Sequence, residues 1–201
     1  MHSAGDRAWE SIALVRMGLL LQRLGEPDLA RDYGRQALIT ARSIGHRDYE
    51  SAALAQLGHL CVAEQKWDEA EVHYRQALAL REALGQLPGL PELWAGPAWI
   101  AVQQCQVDQA RTPLDSILHY LETNPTLAGA VEPLRILLVC CNTLQTLADK
   151  RAVDALERSY RLLQDQAARL TDEALKQSFL QHVPTHAGII AAWTATSRSA
   201  R

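Results

Sequence analysis

Two histidines near residue 184 have the spacing of metal ligands on a helix. His182 and His186 are four residues apart, which would place both imidazoles on one helix face. Pro184 lies between them and interrupts a continuous helix, and no glutamate follows His182 in the metalloprotease pattern. We therefore expect both histidines to cap or pack helices, and we predict no metal site.

Sequence patterns for phosphate binding and nucleophilic catalysis do not occur. The sequence has neither a P-loop nor a dinucleotide-binding glycine motif, and no serine stands in a nucleophile elbow. The four cysteines form no C-x-x-C pair, and we expect all of them to be small buried residues in a reducing compartment. They are Cys61, Cys105, Cys140 and Cys141. The sequence predicts no catalytic residue and no cofactor.

The composition indicates a globular chain and argues against an all-β fold. Of 201 residues, 48% are hydrophobic, 21% charged and 5% aromatic, and clusters of strand-forming residues are scarce. The net charge of −3 argues against a nucleic-acid partner. The longest apolar run, about 136–141, is far shorter than the ~20 residues of a membrane span. No secretory signal opens the chain, so we expect a cytoplasmic protein without a membrane partner.

Small residues recur at an interval of 40 positions. A glycine is followed 12 residues later by an alanine, and seven residues after that by a second alanine. The matched pairs are Gly18 with Gly58, Ala30 with Ala70 and Ala37 with Ala77, and a third copy has Ala110 and Ile117. Small side chains at such fixed points let two antiparallel helices approach closely. The interval therefore predicts repeated helix pairs.

The second copy resembles the tetratricopeptide repeat. Its residues 66–70 resemble the turn between the two helices of that repeat, and six residues stand at signature positions: Leu54, Leu57, Gly58, Ala70, Tyr74 and Ala77. The first copy departs from the pattern with Gly34 in place of an aromatic residue, and the third has Pro97 in its first helix. The resemblance implies an all-α fold, a right-handed superhelix of stacked antiparallel helix pairs.

Glycines and prolines suggest the bounds of the repeats. Gly25, Gly45 and Gly85 stand where helices should end, and Pro27 stands where one should begin. We predict one array over residues 1–201 that ends in a capping helix. The repeats span about 8–46, 47–86 and 90–124, a degenerate pair spans 127–170 with helices over 128–148 and 150–170, and the C-terminal cap spans 171–197.

Residues 172–186 resemble the tail of tetratricopeptide-repeat arrays in large bacterial signalling proteins. The matching residues are Ser178, Phe179, Leu180, Val183, Pro184, His186 and, just beyond that range, Ile189. In those proteins the array follows a STAND-type NTPase module. The resemblance implies that the chain is the sensor or scaffold of such a regulator, with an effector domain in cis, or that it is a stand-alone relative of such arrays. It carries over no catalytic residue.

The repeat register places one set of residues on the inner groove, which is lined by the first helix of each pair. This groove is mainly apolar, and we expect it to bind a protein or peptide. Trp99 would either anchor such a peptide or pack against the neighbouring repeat. The predicted partner-binding residues are Val15, Leu19, Gln22, Arg23, His59, Val62, Trp99 and Gln103.

Two other functions remain open from the sequence. The same groove, with its few polar groups, could hold a small effector. Alternatively, the chain could be a structural module that forms homo-oligomers. Residues 82–134 have six acids and one base, whereas residues 135–201 have six acids and nine bases. This asymmetry could favour head-to-tail association of copies.

Overall fold

Every regular element that the structure describes is an α-helix. The computed structural model describes residues 4–85 and 89–199, and no strand occurs in these ranges, which confirms the predicted all-α class there. The predicted array also includes residues 1–3, 86–88, 200 and 201, which lie outside the described residues. The helices are α1 (Ala4–Arg23), α2 (Pro27–Ser43), α3 (Arg47–Ala63), α4 (Trp67–Ala83), α5 (Leu90–Gln103), α6 (Val107–Thr123), α7 (Pro133–Thr146), α8 (Ala152–Ala167), α9 (Glu173–Gln181) and α10 (Pro184–Ser199).

Each of the first five helices is followed, two residues after its end, by a residue in the left-handed conformation, and these residues recur every 20 positions. They are Gly25, Gly45, Gln65, Gly85 and Cys105. At the second of these turns, Gly45 N donates to Arg42 O at 3.1 Å and His46 N donates to Ala41 O at 3.0 Å. This is the Schellman arrangement, which satisfies carbonyls that the helix leaves unpaired. Two such segments make the unit of 40 residues that the sequence predicts.

Residues 1–100 form one compact unit, described over 4–85 and 89–100. In it α1 packs on α2 and α3 on α4, and α3 also packs on α2 and α1. These consecutive pairs agree with a tetratricopeptide-repeat solenoid. The main core cluster joins α3, α4 and α5 through Leu54, Cys61, Tyr74, Leu93 and Ile100. Through this packing α3 and α5 are held in place, and both helices carry residues of the predicted site.

Individual hydrogen bonds between the two helices of a pair are also repeated after 40 residues. Ser11 Oγ donates to Ala37 O at 3.0 Å, and Ser51 Oγ donates to Ala77 O at 2.9 Å. Both serines are buried, and they stand 40 positions apart, as do their acceptors. Each bond therefore ties the first helix of a pair to the second helix at the same place.

Residues 101–201 form a second compact unit, described here over 101–199. In this unit α7 packs on α6 and α8, and α10 packs on α7, α8 and α9. Its core cluster is built around Leu134, Leu163 and Ile189. The rings of Tyr160 and Trp193 stack at 4.8 Å between centroids. That the two units make one array stays a prediction.

Helix α7 begins later than predicted. We expected a helix over 128–148, but it spans Pro133–Thr146. Leu127 has φ of 52° and Gly129 has φ of 89°, values that no right-handed helix contains. Pro133 then starts the helix at a position where its missing N–H costs nothing. Helix α8 is also shorter than predicted, at Ala152–Ala167.

Asp172 caps the N-terminus of α9. Asp172 accepts a hydrogen bond from Leu175 N at 3.0 Å and so satisfies one amide of the first turn. Helix α10 begins at Pro184, the residue expected to interrupt a helix between His182 and His186. Across the described ranges, no helix has both the length and the apolar character that crossing a membrane requires.

Candidate functional site

The candidate site is the predicted partner-binding set of the first unit, which we call the A-face. It is carried by α1, α3 and α5, the first helices of their pairs. Its members are Val15, Leu19, Gln22, Arg23, His59, Val62 and Trp99. Gln103, the eighth predicted residue, is exposed and belongs to the second unit.

Val15 and Leu19 lie one helical turn apart on α1. Val15 is only 4% exposed and forms a cluster with Ala37 of α2 and Ala53 of α3. Leu19 is half-buried and packs against the same cluster. Val15 therefore holds the helices together, whereas Leu19 keeps part of its surface accessible.

Gln22 connects α1 to α3 on the A-face. Its Nε2 donates to the backbone oxygen of His59 at 3.3 Å, and its side chain is half-buried. Arg23, the last residue of α1, is exposed beside it. The structure thus brings the Gln22 amide to the backbone of His59.

The His59 side chain is directed to a helix of the core. Its Nδ1 lies 2.5 Å from the hydroxyl oxygen of Tyr74 on α4, and the two rings are tilted by 54° at 5.4 Å between centroids. Tyr74 is fully buried and His59 is 9% exposed. A buried phenol needs a hydrogen-bond partner, and His59 supplies one. The imidazole therefore positions Tyr74 more than it faces a ligand.

Val62 and Trp99 complete the A-face in the first unit. Val62 is half-buried and packs against the core cluster that contains Leu54 and Tyr74. Trp99, on α5, is also half-buried. Each of α1, α3 and α5 therefore offers one partly accessible apolar side chain at a predicted position.

Tyr74 lies between two glycines that support the site from behind. A Cβ atom on Gly58 would be 3.1 Å from the Tyr74 ring, and one on Gly96 would be 2.4 Å from it. The ring thus fills a space between α3 and α5 that only residues without a side chain leave open. Tyr74 and Gly58 stand at signature positions of the repeat, whereas the repeat pattern gave no signal for the role of Gly96.

The equivalent space one repeat earlier is filled by another residue. Positions 18, 34 and 56 precede positions 58, 74 and 96 by 40 residues each. Of the three earlier residues, Gly18, Gly34 and Gln56, only Gln56 has a large side chain. A Cβ atom on Gly18 would lie 1.8 Å from Gln56 Nε2, and one on Gly34 would lie 3.1 Å from Gln56 Oε1. Gln56 also donates to Ala30 O at 3.1 Å. The glutamine therefore replaces the aromatic residue that the first repeat lacks.

Three of the four cysteines are buried as predicted. Burial raises the pKa of the Cys140 thiol to about 12, and it also raises the pKa values of Cys61 and Cys141. These thiols stay protonated at neutral pH and are poor nucleophiles. The prediction was wrong for Cys105, which is exposed because it is the left-handed residue of the turn after α5.

The two histidines with metal-ligand spacing bond to other groups. His186 is buried, and its Nδ1 donates to Phe179 O at 2.7 Å. His182 Nδ1 lies 3.2 Å from Ser178 Oγ. Within residues 4–85 and 89–199, no three side chains of His, Cys, Asp or Glu come together as a metal site would require.

Paired helices with small residues at their contacts and a 40-residue period define a helical repeat protein. A family model described as tetratricopeptide repeat matches residues 9–83, which include α2, α3, α4 and most of α1. No curated protein matches the chain. The match supports a tetratricopeptide repeat domain in this segment. Such repeats are generally protein–protein interaction modules and are typically non-catalytic.

Proposed function

We propose that the chain is a non-catalytic module that binds a peptide or protein segment along the A-face. The observation that carries this proposal is the partial exposure of Leu19, Val62 and Trp99 on three successive first helices. Partly exposed apolar side chains supported by a rigid core are suited to binding apolar side chains of a partner. Trp99 buries a large area with few rotatable bonds, so it is the expected anchor.

Polar groups on the A-face would orient the bound segment. The Gln22 amide is held by its bond to His59 O, and its other polar atoms can bond to a peptide backbone. The guanidinium of Arg23 would favour an acidic residue in the partner. His59 acts as a positioning residue, because its ring is bonded to Tyr74.

A peptide fits these observations better than a small effector. The polar side chains that a small ligand would need, Gln22 and His59, form hydrogen bonds within the protein. The apolar positions are distributed over three successive first helices, α1, α3 and α5. An extended or helical segment can reach all three.

The proposed context is a bacterial STAND-type regulator, in which partner binding changes how the repeats contact an effector domain in cis. The support is the resemblance of residues 172–186 to the tail of such arrays. The four cysteines are free thiols, which agrees with a reducing, cytoplasmic compartment.

Peptide selection tests the proposal. Random 12-residue peptides displayed on phage are selected against the whole chain, and their affinities are then measured for variants. We expect the double variant Leu19→Ser, Trp99→Ala to weaken binding at least about tenfold. The control is Ile39→Ser, because Ile39 is 68% exposed and lies on α2, a second helix of its pair that carries no A-face residue. Selected peptides that bind the double variant as tightly as the wild type would exclude the A-face.

A further inference from the structure

A second apolar surface lies on the side of α1 that no described helix covers. Its residues are spaced by four, four, three and four positions, so they line one face of the helix. We call them the end stripe: Trp9, Ala13, Met17, Leu20 and Leu24. Trp9 is 73% exposed, Leu20 51% and Leu24 66%, and Met17 and Ala13 are exposed as well. Contiguous exposed apolar surface of this kind marks an interaction site.

The structure shows what covers this face one repeat later. The residues of α3 that stand 40 positions after Ala13, Met17 and Leu20 are Ala53, Leu57 and Leu60, and all three are buried. Ala53 clusters with Ala37 of α2, and both leucines cluster with Ala30 of α2. The α3 face is therefore covered by the helix of the preceding pair.

Small residues on α2 make this close packing possible. Ala30, Gly34, Ala37 and Ala41 stand at positions i, i+4, i+7 and i+11, and all four are buried. A Cβ atom on Gly34 would lie 2.9 Å from Leu57 Cδ2, which shows how closely α2 approaches α3. A helix that covered the end stripe in the same way would need the same pattern.

Polar contacts between α2 and α3 also have equivalents on α1. Glu50 accepts from Arg42 Nε at 2.7 Å, and its equivalent on α1 is Glu10, which is exposed. The equivalent of Gln56, which donates to Ala30 O, is Arg16, which is exposed as well. Glu10 can accept a hydrogen bond from a covering helix, as Glu50 does from α2, and Arg16 can donate one, as Gln56 does.

One position differs in a way that restricts the partner. Glu64 of α3 pairs with Arg31 of α2, but the equivalent of Glu64 is Leu24. An arginine opposite Leu24 would lose water without gaining a countercharge. The helix that covers the end stripe should therefore carry an apolar residue where α2 carries Arg31.

We propose that the end stripe binds an α-helix of a different protein, and that this helix resembles α2. It runs antiparallel to α1 and has Ala or Gly at i, i+4, i+7 and i+11. A basic residue follows the last of these and pairs with Glu10, and an apolar residue follows the first and packs on Leu24. This site is separate from the A-face and does not depend on the proposed function.

Two observations favour another protein over other occupants. The helix α1 is already formed at Ala4, whereas the equivalent residues of the next repeat, 44–46, form the turn that joins α2 to α3. The covering helix is therefore not joined to α1 by the same short turn. A second copy of the chain does not offer its α2, because the small residues of that helix are buried in its own core.

A synthetic helix with the α2 sequence tests the proposal. The probe is a fluorescein-labelled peptide of residues 26–46 with Arg31→Leu, in which Asp32 is joined by a lactam to a lysine introduced by Gln36→Lys. Both bridge positions are exposed in the protein, so the bridge lies on the solvent side. We expect saturable binding to the whole chain in fluorescence anisotropy. A peptide that retains Arg31 should bind severalfold more weakly.

Variants of the chain identify the surface that binds. Leu20→Glu should weaken binding at least about tenfold, since it places a charge in the apolar contact. The matched control Ile39→Glu, at an exposed position of α2, should leave it unchanged. Glu10→Arg should weaken binding severalfold, and a peptide with Arg42→Glu should restore it. Circular dichroism melting checks that each variant is folded.

Three outcomes would overturn the proposal. The first is no binding of the bridged peptide to the wild-type chain. The second is binding that Leu20→Glu does not change, because the peptide would then be replacing α2 on α3. The third is a wild-type dimer in sedimentation velocity that Leu20→Glu dissociates, because the occupant would then be a second copy.

Discussion

Gln56 fills the space that Gly34 leaves open between the first two helix pairs. A Cβ atom on Gly34 would lie 3.1 Å from Gln56 Oε1. One repeat later the roles are reversed, since Tyr74 is the large residue and Gly96 is the small one. The volume of the contact is thus kept while the helix that supplies it changes, in agreement with the close packing of protein interiors.

This exchange predicts strong coupling between residues 34 and 56. Gly34→Tyr alone should cost about 1–3 kcal/mol because the ring would collide with Gln56. Gln56→Gly alone should cost about 2–4 kcal/mol through a cavity, a lost hydrogen bond and a helical glycine. The double variant reproduces the second repeat, and urea unfolding should show a coupling energy of about 1–3 kcal/mol. Simple additivity of the two single changes would contradict the exchange.

The bond between His59 and Tyr74 should contribute to the stability of the first unit. Tyr74→Phe keeps the ring between Gly58 and Gly96 but removes the hydroxyl, so it should lower the free energy of unfolding by about 0.5–1.5 kcal/mol. Denaturant titration measures the change. Tyr49→Phe is the control, because Tyr49 contacts His46 by ring stacking at 3.9 Å. Equal effects of the two variants would show that the His59 contact is not special.

His73 should make stability depend on pH. Burial lowers its pKa below the ordinary 6.5, with Arg31 and Arg42 adding to the effect and Glu69 opposing it. Its Nδ1 is buried and has no hydrogen-bond partner within the described residues. The unfolded chain binds the proton more readily than the folded chain. The contribution of His73 to the free energy of unfolding is therefore complete above about pH 6.5 and decreases as the pH drops below that value.

The variant His73→Gln tests this pH dependence. It should flatten the dependence of unfolding free energy on pH between about 7 and 5. His119→Gln is the control, because His119 is exposed and lies in the second unit. A slope that stays as steep in His73→Gln as in the wild type would place the titrating group elsewhere.

The turns that end the helices show how much of the fold can be predicted from sequence. Glycine at 25, 45 and 85 marks three left-handed residues, because only glycine adopts that conformation without strain. Gln65 and Cys105 have the same left-handed conformation, but their residue types do not indicate it. Only the 40-residue interval from Gly25 identifies these two positions as turns. The late start of α7 was missed because the preceding residues include the buried Leu127 and Gly129, both in the left-handed conformation, and Pro133 then begins the helix.

The sequence register assigned the candidate residues to helices but did not specify their individual contacts. The register assigned Gln22 and His59 to the same groove, but it did not specify the hydrogen bond between the Gln22 amide and His59 O. It could not show that the His59 ring turns toward Tyr74, since that depends on a buried hydroxyl in another helix. It also could not identify Gln56 as the replacement for a missing aromatic residue, because the two positions belong to different repeats.

Gln65 offers a test of the turn itself. Gln65→Gly should raise the free energy of unfolding by up to about 1 kcal/mol, because a left-handed glutamine is strained and a glycine is not. The converse change, Gly45→Ala, should lower it by about 1 kcal/mol, since a Cβ there meets no atom within 4 Å and only the backbone conformation is affected. Thermal melts compare both variants. A destabilising Gln65→Gly would mean that the glutamine side chain contributes more than its strain removes.

Nuclear magnetic resonance of a selected peptide bound to the chain tests the central claim most directly. Methyl signals of leucine and valine and the indole signals of tryptophan report both surfaces in one spectrum. We predict that the signals of Leu19, Val62 and Trp99 shift on binding while those of Leu20 and Leu24 do not. Shifts confined to Leu20 and Leu24, with Leu19, Val62 and Trp99 unchanged, would contradict peptide binding on the A-face.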